Sequence, residues 1–355
     1  MINYRILIIT LFSLIIWGLG CTPPHREPKI MDISAPSPSF DIASAFIDSL
    51  AVNYTPFHED DIHWPRLRKQ FGNTSWDSES RQDAEQRCFD LVSHLDDNRI
   101  AVITRRRLGA RQRRGVRGLD PDIINRRPTL DDAWWSYYGF GPRVDPAGRT
   151  DRYRTPDGIV YLIVNSANCL PVKRILDMLT HAKGAVFDFR WTSPSSCRRG
   201  DHRMKLEEFT SAFHHDQPIW ALSTRRDGMR WTDQDTLRLV PSQGDLDLPI
   251  ACLVGPACID DRVEMVMQLA ALPRTTVIGT PTSGASSARH HIQIDDFLEV
   301  IYPVEQLQTP EGVAVTDAQG FTPDRLVKQK TPGDPELDAA LAHVRKNIDL
   351  HDDIP

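Results

Sequence analysis

Residues 248–272 read LPIACLVGPACIDDRVEMVMQLAAL, and this stretch decides the fold class. Leu248–Val254 is a short apolar run typical of a buried strand, and the apolar residues of Val263–Leu272 follow it with helical spacing. The same order occurs upstream, where two apolar runs flank a helical pattern: Ile159–Val164, Val172–Leu179 and Ala185–Phe189. This alternation predicts an α/β core with substantial parallel pairing of its strands.

Patterns on either side of this core predict further elements. Downstream, His290–Ile294 and Phe297–Tyr302 are typical of a hairpin, and Glu336–Val344 of a closing helix. Upstream, apolar residues at helical spacing begin near Asp41 and again near Ala84. We therefore expect a small helical N-terminal domain ahead of the α/β core.

The organisation predicted from these patterns has six parts. Residues 105–117 contain seven arginines, and the segment that follows is rich in Pro, Gly and Asp, which favours an exposed irregular connection. Such a basic stretch is either a solvated loop or a patch that grips phosphate, a lipid headgroup or an acidic partner. The expected parts are a signal peptide (1–20), a Pro-rich tether (21–39), the helical domain (40–103), the Arg-rich connection (104–157), the α/β core (158–330) and a C-terminal helix (331–355).

The N-terminus carries a targeting signal. Arg5 precedes the apolar run Ile6–Trp17, which is too short to span a bilayer with ease and ends near Cys21. A short apolar run, small residues and a cysteine resemble the lipobox of bacterial lipoproteins, although Gly18 stands where leucine is usual. The resemblance implies lipid attachment at Cys21 in the bacterial cell envelope. An ordinary signal peptide or an uncleaved anchor would also export the chain.

Composition limits the partners. A formal charge of −6 does not favour nucleic acid, and 40% hydrophobic with 25% charged residues is ordinary for a globular protein. The cysteines beyond Cys21 form no CxxC pair and no zinc-ligand spacing; they are Cys88, Cys169, Cys197, Cys252 and Cys258. We expect neither a metal site nor a cofactor.

Several segments, in order, resemble the tail-specific (C-terminal processing) serine peptidases without a PDZ insertion. They are Asn53–Phe57, Ile62–Trp64, Leu95–Ile100, Gly184–Arg190, Thr276–Gly284 and Gly320–Asp324. The resemblance implies a Clp-protease/crotonase-like core preceded by a helical domain. It also implies where the catalytic groups of that family would fall.

Those positions hold unsuitable residues. The family's serine falls on Asp260, its lysine on Ala285, and the histidine of its tricorn-like branch on Arg99. A carboxylate cannot form the same acyl-enzyme, an alanine methyl takes no proton, and arginine is too basic to act as a base. Pro194 and Ser195 fall on the oxyanion hole, where proline offers no N–H. The resemblance therefore implies descent from serine-type peptidases. The residues at the catalytic positions argue against activity.

Other roles for these residues remain open. Asp260 could cap the helix that follows it. Cys258 could act as a thiolate nucleophile with His290 or His291 as the base. A serine nucleophile is the weaker alternative, and its candidates are Ser283, Ser286 and Ser287. The adjacent pairs His214-His215 and His290-His291 have poor geometry for a metal.

Three hypotheses for function follow. The first is an exported, catalytically inactive pseudo-peptidase that binds a polypeptide segment or an envelope protein in a groove. The second is an active peptidase or hydrolase with a rearranged site that uses Cys258. The third is a structural lipoprotein whose groove is filled by its own side chains.

Overall fold

The computed structural model describes most of the chain after residue 41. The described residues are 42–54, 64–72, 81–95, 100–105, 111–115, 136–140, 151–165, 170–191, 202–214, 216–227, 230–240, 246–284, 289–293, 298–315, 320–327 and 333–352. Residues 41–355 form one compact unit. The signal peptide, the lipid site at Cys21 and the tether were predicted for residues that lie outside this set.

Seven helices and fourteen strands are assigned within the described residues. The helices are α1 (Ile42–Asn53), α2 (Trp64–Gly72), α3 (Arg81–Ser93), α4 (Val172–Leu179), α5 (His202–Thr210), α6 (Asp261–Ala270) and α7 (Pro335–Asp352). The strands are β1 (Ala101–Arg105), β2 (Arg111–Gly115), β3 (Asp151–Arg154), β4 (Ile159–Ile163), β5 (Gly184–Asp188), β6 (Ile219–Asp227), β7 (Arg230–Trp231), β8 (Asp235–Arg238), β9 (Ile250–Val254), β10 (Thr275–Gly279), β11 (Arg289–Gln293), β12 (Leu298–Pro303), β13 (Glu305–Gln308) and β14 (Arg325–Leu326).

The central sheet has six strands in the order β14-β10-β9-β5-β4-β3. All its pairings are parallel except that of the edge strand β3 with β4. Every residue of β4, β5 and β9 is buried, which explains why their sequences are continuous apolar runs rather than alternating ones. The predicted α/β core with parallel pairing is confirmed.

Helices cover both faces of this sheet. Alternate strand residues such as Leu162, Phe187 and Cys252 pack with residues of α4, α5 and α6 in one core cluster. The residues between them, such as Tyr161 and Val186, pack with α7 in another. The predicted closing helix is thus one of the two layers that bury the sheet.

A second sheet has the order β11-β12-β1-β2, and α1, α2 and α3 contribute to the same core cluster as its strands. The predicted N-terminal helices and the predicted hairpin, now β11 and β12, are both confirmed. In a third sheet, β6 pairs antiparallel with β13, β7 and β8.

The structure corrects the predicted division of the chain. Residues 104–157 are not an irregular connection throughout, because they contain β2, a short helical turn near Ser136 and the core strand β3. The N-terminal unit is also not purely helical, since β1 pairs with β12 from the segment assigned to the α/β core. The sequence of β2, RQRRG, lacks the apolar alternation by which strands are recognised.

Candidate functional site

The candidate site lies where the parallel strands β5, β9 and β10 reach their carboxyl ends. In open α/β sheets, ligands bind outside these ends because the loops that leave the strands gather there. β5 ends at Asp188, β9 at Val254 and β10 at Gly279. The turn after β9 carries Asp260, the residue placed at the family's serine position.

Asp260 holds a strained backbone conformation, with φ 56° and ψ −129°. It is the one non-glycine residue with a positive φ among those that the structure describes. This combination lies outside the main allowed regions for an L-residue and costs on the order of 1–3 kcal/mol. Nucleophiles that sit on a sharp turn between a strand and a helix are held in strained conformations of this kind. The turn thus has the geometry of a nucleophile position and carries a carboxylate.

Asp260 precedes α6 without capping it through its side chain. The prediction that its carboxylate accepts an amide of the first turn is wrong, because Asp260 makes no side-chain capping hydrogen bond. Its carbonyl instead accepts from the amide of Val263 at 3.0 Å. A capping residue normally has an extended φ, which aims its side chain at the first free amides, and the positive φ of Asp260 does not.

Arg262 joins this turn to the segment that leaves β5. Its side chain is buried, and its guanidinium donates to the carbonyl of Trp191 at 2.8 Å and to the carbonyl of Ala257. Burial lowers the pKa of Arg262. Sequence reasoning missed this residue, although an arginine among the apolar residues of a core helix is a signal that it has a specific partner.

A buried ion-pair network closes the end of β5. Arg190 donates to Asp188, Asp334 and Glu336, each with a closest distance of 2.7 Å. Tyr161 donates to the same Asp188 carboxylate at 2.6 Å. Sequence analysis placed Arg190 at this strand end but missed the carboxylates that the start of α7 supplies.

The network changes the ionisation of its members. Burial opposes the charge on Arg190, but Asp188 and Asp334 outweigh it and raise the pKa of the guanidinium. Burial and the Asp188 charge raise the pKa of Tyr161 well above its ordinary value. Burial also raises the pKa of Glu336 despite the neighbouring Arg190. Arg190 is therefore a permanent cation that is fully occupied by carboxylates.

Part of the chain is similar to a known peptidase family. The sequence model described as peptidase family S41 matches residues 173–327, which include Arg190, Asp260 and the strands between them. The chain is related to peptidase family S41. No curated protein sequence matches it.

Solved structures agree with this relation at the level of the fold. A putative peptidase from Parabacteroides merdae superposes with a TM-score of 0.67 at 16% identity, over 87% of this chain and 97% of that one. A lipoprotein from Streptococcus agalactiae gives 0.53 at 13% identity, over 89% and 100%. The photosystem II D1 C-terminal processing protease gives 0.51 at 11% identity, over 82% and 94%.

Cys258 is unsuited to act as a nucleophile in this S41 relative. Its side chain is buried in the core cluster beneath α6, and burial raises the pKa of its thiol to about 12. A thiol needs a lowered pKa to supply the reactive thiolate near neutral pH. The proposed bases, His290 and His291, lie on β11 of a different sheet, where His291 Nδ1 is 2.8 Å from Glu299 Oε1.

The structure describes only some of the other predicted site positions. Arg99, Pro194, Ser195 and Ala285 lie outside the described residues, as do Ser286 and Ser287. Ser283 lies after β10, and its amide donates to the carbonyl of Cys258 at 3.4 Å. In the described part of the chain, no His, Cys, Asp and Glu side chains gather in a group of three or more that could hold a metal ion.

Proposed function

We propose that this S41 relative is an exported, lipid-anchored protein that binds polypeptide without cleaving it. The observation that carries the proposal is Asp260, a carboxylate on the strained turn between β9 and α6. A serine or cysteine on such a turn can attack a peptide carbonyl once a base removes its proton. A carboxylate repels the carbonyl oxygen that it would have to approach.

The backbone around this carboxylate is held by specific contacts. Asp260 is strained, Arg262 ties the turn to the segment after β5, and Arg190 fixes the end of that strand. Strained residues survive where the surrounding structure holds them in place. Because strained residues cluster at functional sites, this strained and tightly held turn supports binding.

The central sheet ends in an exposed edge strand, to which an extended segment could add. The edge strand β14 has two residues, both exposed, and 60% of Leu326 is accessible. Extended peptides add to exposed sheet edges through backbone hydrogen bonds, and neighbouring pockets then select their side chains. A polypeptide segment or an envelope protein is the partner class that this edge suits.

The location rests on the N-terminal sequence. The apolar run Ile6–Trp17 and the cysteine at position 21 support export and lipid attachment in the cell envelope. The similarity in fold to a Streptococcus agalactiae lipoprotein is consistent with this location. Of the helices that the structure describes, none has the length and apolar character needed to cross a membrane.

Binding of an unfolded polypeptide tests the proposal. The full chain, purified in mild detergent, is titrated into fluorescein-labelled reduced casein, and anisotropy is recorded together with the size of the casein on a gel. We expect saturable binding of intact casein. Failure to bind casein at any accessible concentration would contradict polypeptide binding. The Arg345→Met variant, changed at an exposed ion pair, is the control and should bind casein as the wild type does.

A further inference from the structure

We infer that the arginine-rich edge of the second sheet docks on an anionic phospholipid surface and thereby sets which side of the protein faces the membrane. The inference rests on the proposed lipid anchor, and it gives a role to the arginine stretch that polypeptide binding does not use. Three observations carry it: the position of the arginines in the sheet, the charges around them, and the place where the N-terminal segment joins the fold.

Three arginines share one face at the β2 edge of this sheet. β1 and β2 pair antiparallel, with Arg105 opposite Arg111 and Ile103 opposite Arg113. Successive residues of a strand alternate between its two faces, so Arg105, Arg111 and Arg113 belong to the face of Ile103. β2 is the last strand in the order β11-β12-β1-β2, so these three residues, the β2-edge arginines, lie at the rim of the sheet.

The N-terminal helices lie on the other face of the same sheet. Val102 and Val300 belong to the core cluster that contains residues of α1, α2 and α3, whereas Ile103 and Ile301 form a separate small cluster. The acidic residues of these helices therefore belong to elements on the opposite side of the sheet from the β2-edge arginines; they are Asp48, Asp83, Glu85 and Asp90.

The face that carries the β2-edge arginines is cationic. β11 adds Arg289 and His291 to it, and β12 adds Glu299, the one carboxylate among the described strand residues of this face. The ring nitrogen Nδ1 of His291 is 2.8 Å from Glu299 Oε1. Like charges directly opposite each other in a sheet are destabilising, and Arg105 and Arg111 are such a pair. An anion at this edge would offset their repulsion.

The sequence concentrates positive charge in this part of an otherwise acidic chain. Residues 105–117 hold seven of the 42 Lys and Arg residues and no acidic residue, which leaves 35 against all 48 Asp and Glu. Residues 42–104, which contain the three helices, hold eleven acidic residues and six basic ones. An anionic surface therefore attracts the arginine edge and repels the remainder, which favours one orientation. Clusters of about four to eight basic residues are typical of segments that bind anionic lipid headgroups.

The proposed lipid anchor brings this edge to a membrane. Twenty residues separate Cys21 from Ile42, where α1 begins, and a chain of that length spans at most about 70 Å. α1 packs in the same core cluster as β1 and β12, so the anchored segment joins the fold at the second sheet. Anchoring raises the effective concentration of headgroups around the domain, so weak contacts are enough to orient it. This favours a phospholipid surface over a soluble acidic protein.

The test measures how close the full chain lies to vesicles of different charge. The chain is reconstituted into vesicles of phosphatidylcholine alone or of phosphatidylcholine with phosphatidylglycerol, each with a trace of dansyl-labelled phosphatidylethanolamine. Flotation reports anchoring, and energy transfer from tryptophan to dansyl reports the distance from the surface. We expect more transfer in the anionic vesicles. Salt at about 1 M should remove the difference, because the screening length is then about 3 Å.

Two matched variants locate the effect. The test variant replaces the three β2-edge arginines: Arg105→Gln, Arg111→Gln and Arg113→Gln. The control variant removes three exposed cations from α2, on the other side of the sheet: Arg66→Gln, Arg68→Gln and Lys69→Gln. Each arginine near an anionic surface is worth about fivefold, so the test variant should lower the ratio of docked to undocked protein on the order of a hundredfold. The control should retain most of the difference, and urea denaturation verifies that both variants are folded.

Equal transfer in both kinds of vesicle, or a difference that survives in the test variant, overturns the inference and leaves the anchor and polypeptide binding intact. An equal loss in the control variant also overturns it, because net charge rather than this edge would then set the orientation. Fluorescein-labelled polyglutamate is titrated in parallel with the chain in mild detergent. Binding of polyglutamate through the same arginines, with no preference for anionic vesicles, overturns the inference in favour of an acidic protein. Failure of the wild type to float with either vesicle removes the proposed anchor and the inference with it.

Discussion

The ends of β5 and β9 lie side by side in one sheet, yet they are stabilised in opposite ways. At the end of β5, Arg190 satisfies three carboxylates, and the charges are buried in pairs. At the end of β9, the chain turns through a strained Asp260 whose side chain does not cap the helix that follows it. The difference teaches that the first region is stabilised by its own paired charges, while the second keeps a costly backbone geometry of the kind that clusters at functional sites.

The largest expected effect comes from breaking the stable region. Arg190→Met leaves the carboxylates of Asp188 and Asp334 buried without a counter-charge, which should lower the free energy of unfolding by about 3–5 kcal/mol. Urea denaturation measures this loss. Arg345→Met is the matched control, because its partner Asp157 and Arg345 itself are 42% and 49% exposed, and it should cost less than about 1 kcal/mol. Equal losses in the two variants would show that the network is not what stabilises the strand end.

A smaller loss in the free energy of unfolding should follow from a substitution on β10 that crowds the end of β9, the strand that leads to Asp260. Gly279 has φ 134°, and an added Cβ would lie 2.1 Å from the carbonyl oxygen of Val254. Gly279→Ala should therefore lower the free energy of unfolding by about 2–4 kcal/mol. Gly312→Ala has a similar conformational problem, φ 84°, but meets nothing within 4 Å, so about 1 kcal/mol is expected. A similar cost at both positions would mean that the contact with Val254 is unimportant.

The network should also make the free energy of unfolding depend on pH in the alkaline range. Burial and Asp188 raise the pKa of Tyr161 above its unfolded value of 10.0. Because the folded pKa is the higher one, this stabilisation is present below pH 10 and is lost as the pH rises through the folded pKa, by at most about 1.4 kcal/mol per pH unit. Urea denaturation as a function of pH measures this slope, and Tyr161→Phe should remove the part due to this phenol. An unchanged slope in that variant would contradict the assignment.

The smallest expected effect has the opposite sign and concerns the strained region. Asp260→Gly should raise the free energy of unfolding by about 1 kcal/mol, because glycine adopts a positive φ without strain. Asp261→Gly, one residue into α6, should lower it by about 0.5–1 kcal/mol through the poor helix propensity of glycine. Thermal denaturation of the two variants side by side gives both signs. A loss at Asp260 as well would indicate that its side chain stabilises the fold.

Much of the fold could be predicted from local patterns. The apolar runs of β4, β5 and β9 predict buried parallel strands, and the helical spacing of apolar residues in α6 and α7 predicts helices that cover them. The Arg-rich strand β2 could not be found in this way, since its pairing with β1 leaves no apolar alternation in its own sequence.

The candidate site was predictable in position but not in its interactions. The resemblance placed Asp260 where the structure has its strained turn, but a backbone angle leaves no mark in a sequence. Asp334 lies 144 residues from Arg190, so nothing local indicates that they form an ion pair. The contacts of Arg262 likewise depend on a carbonyl of the distant Trp191. The tertiary fold determines which distant polar groups pair, whereas the apolar pattern of a helix or strand is contained in its own sequence.

The most direct test of the central claim is whether the full chain cleaves polypeptide. Labelled reduced casein is incubated with the chain in mild detergent at neutral pH, and the release of acid-soluble label is measured beside the Asp260→Asn and Cys258→Ala variants. The account predicts no release above that of buffer for any of the three proteins. Release by the wild type that either substitution abolishes would contradict it, because a residue of the Asp260 turn would then carry out the reaction.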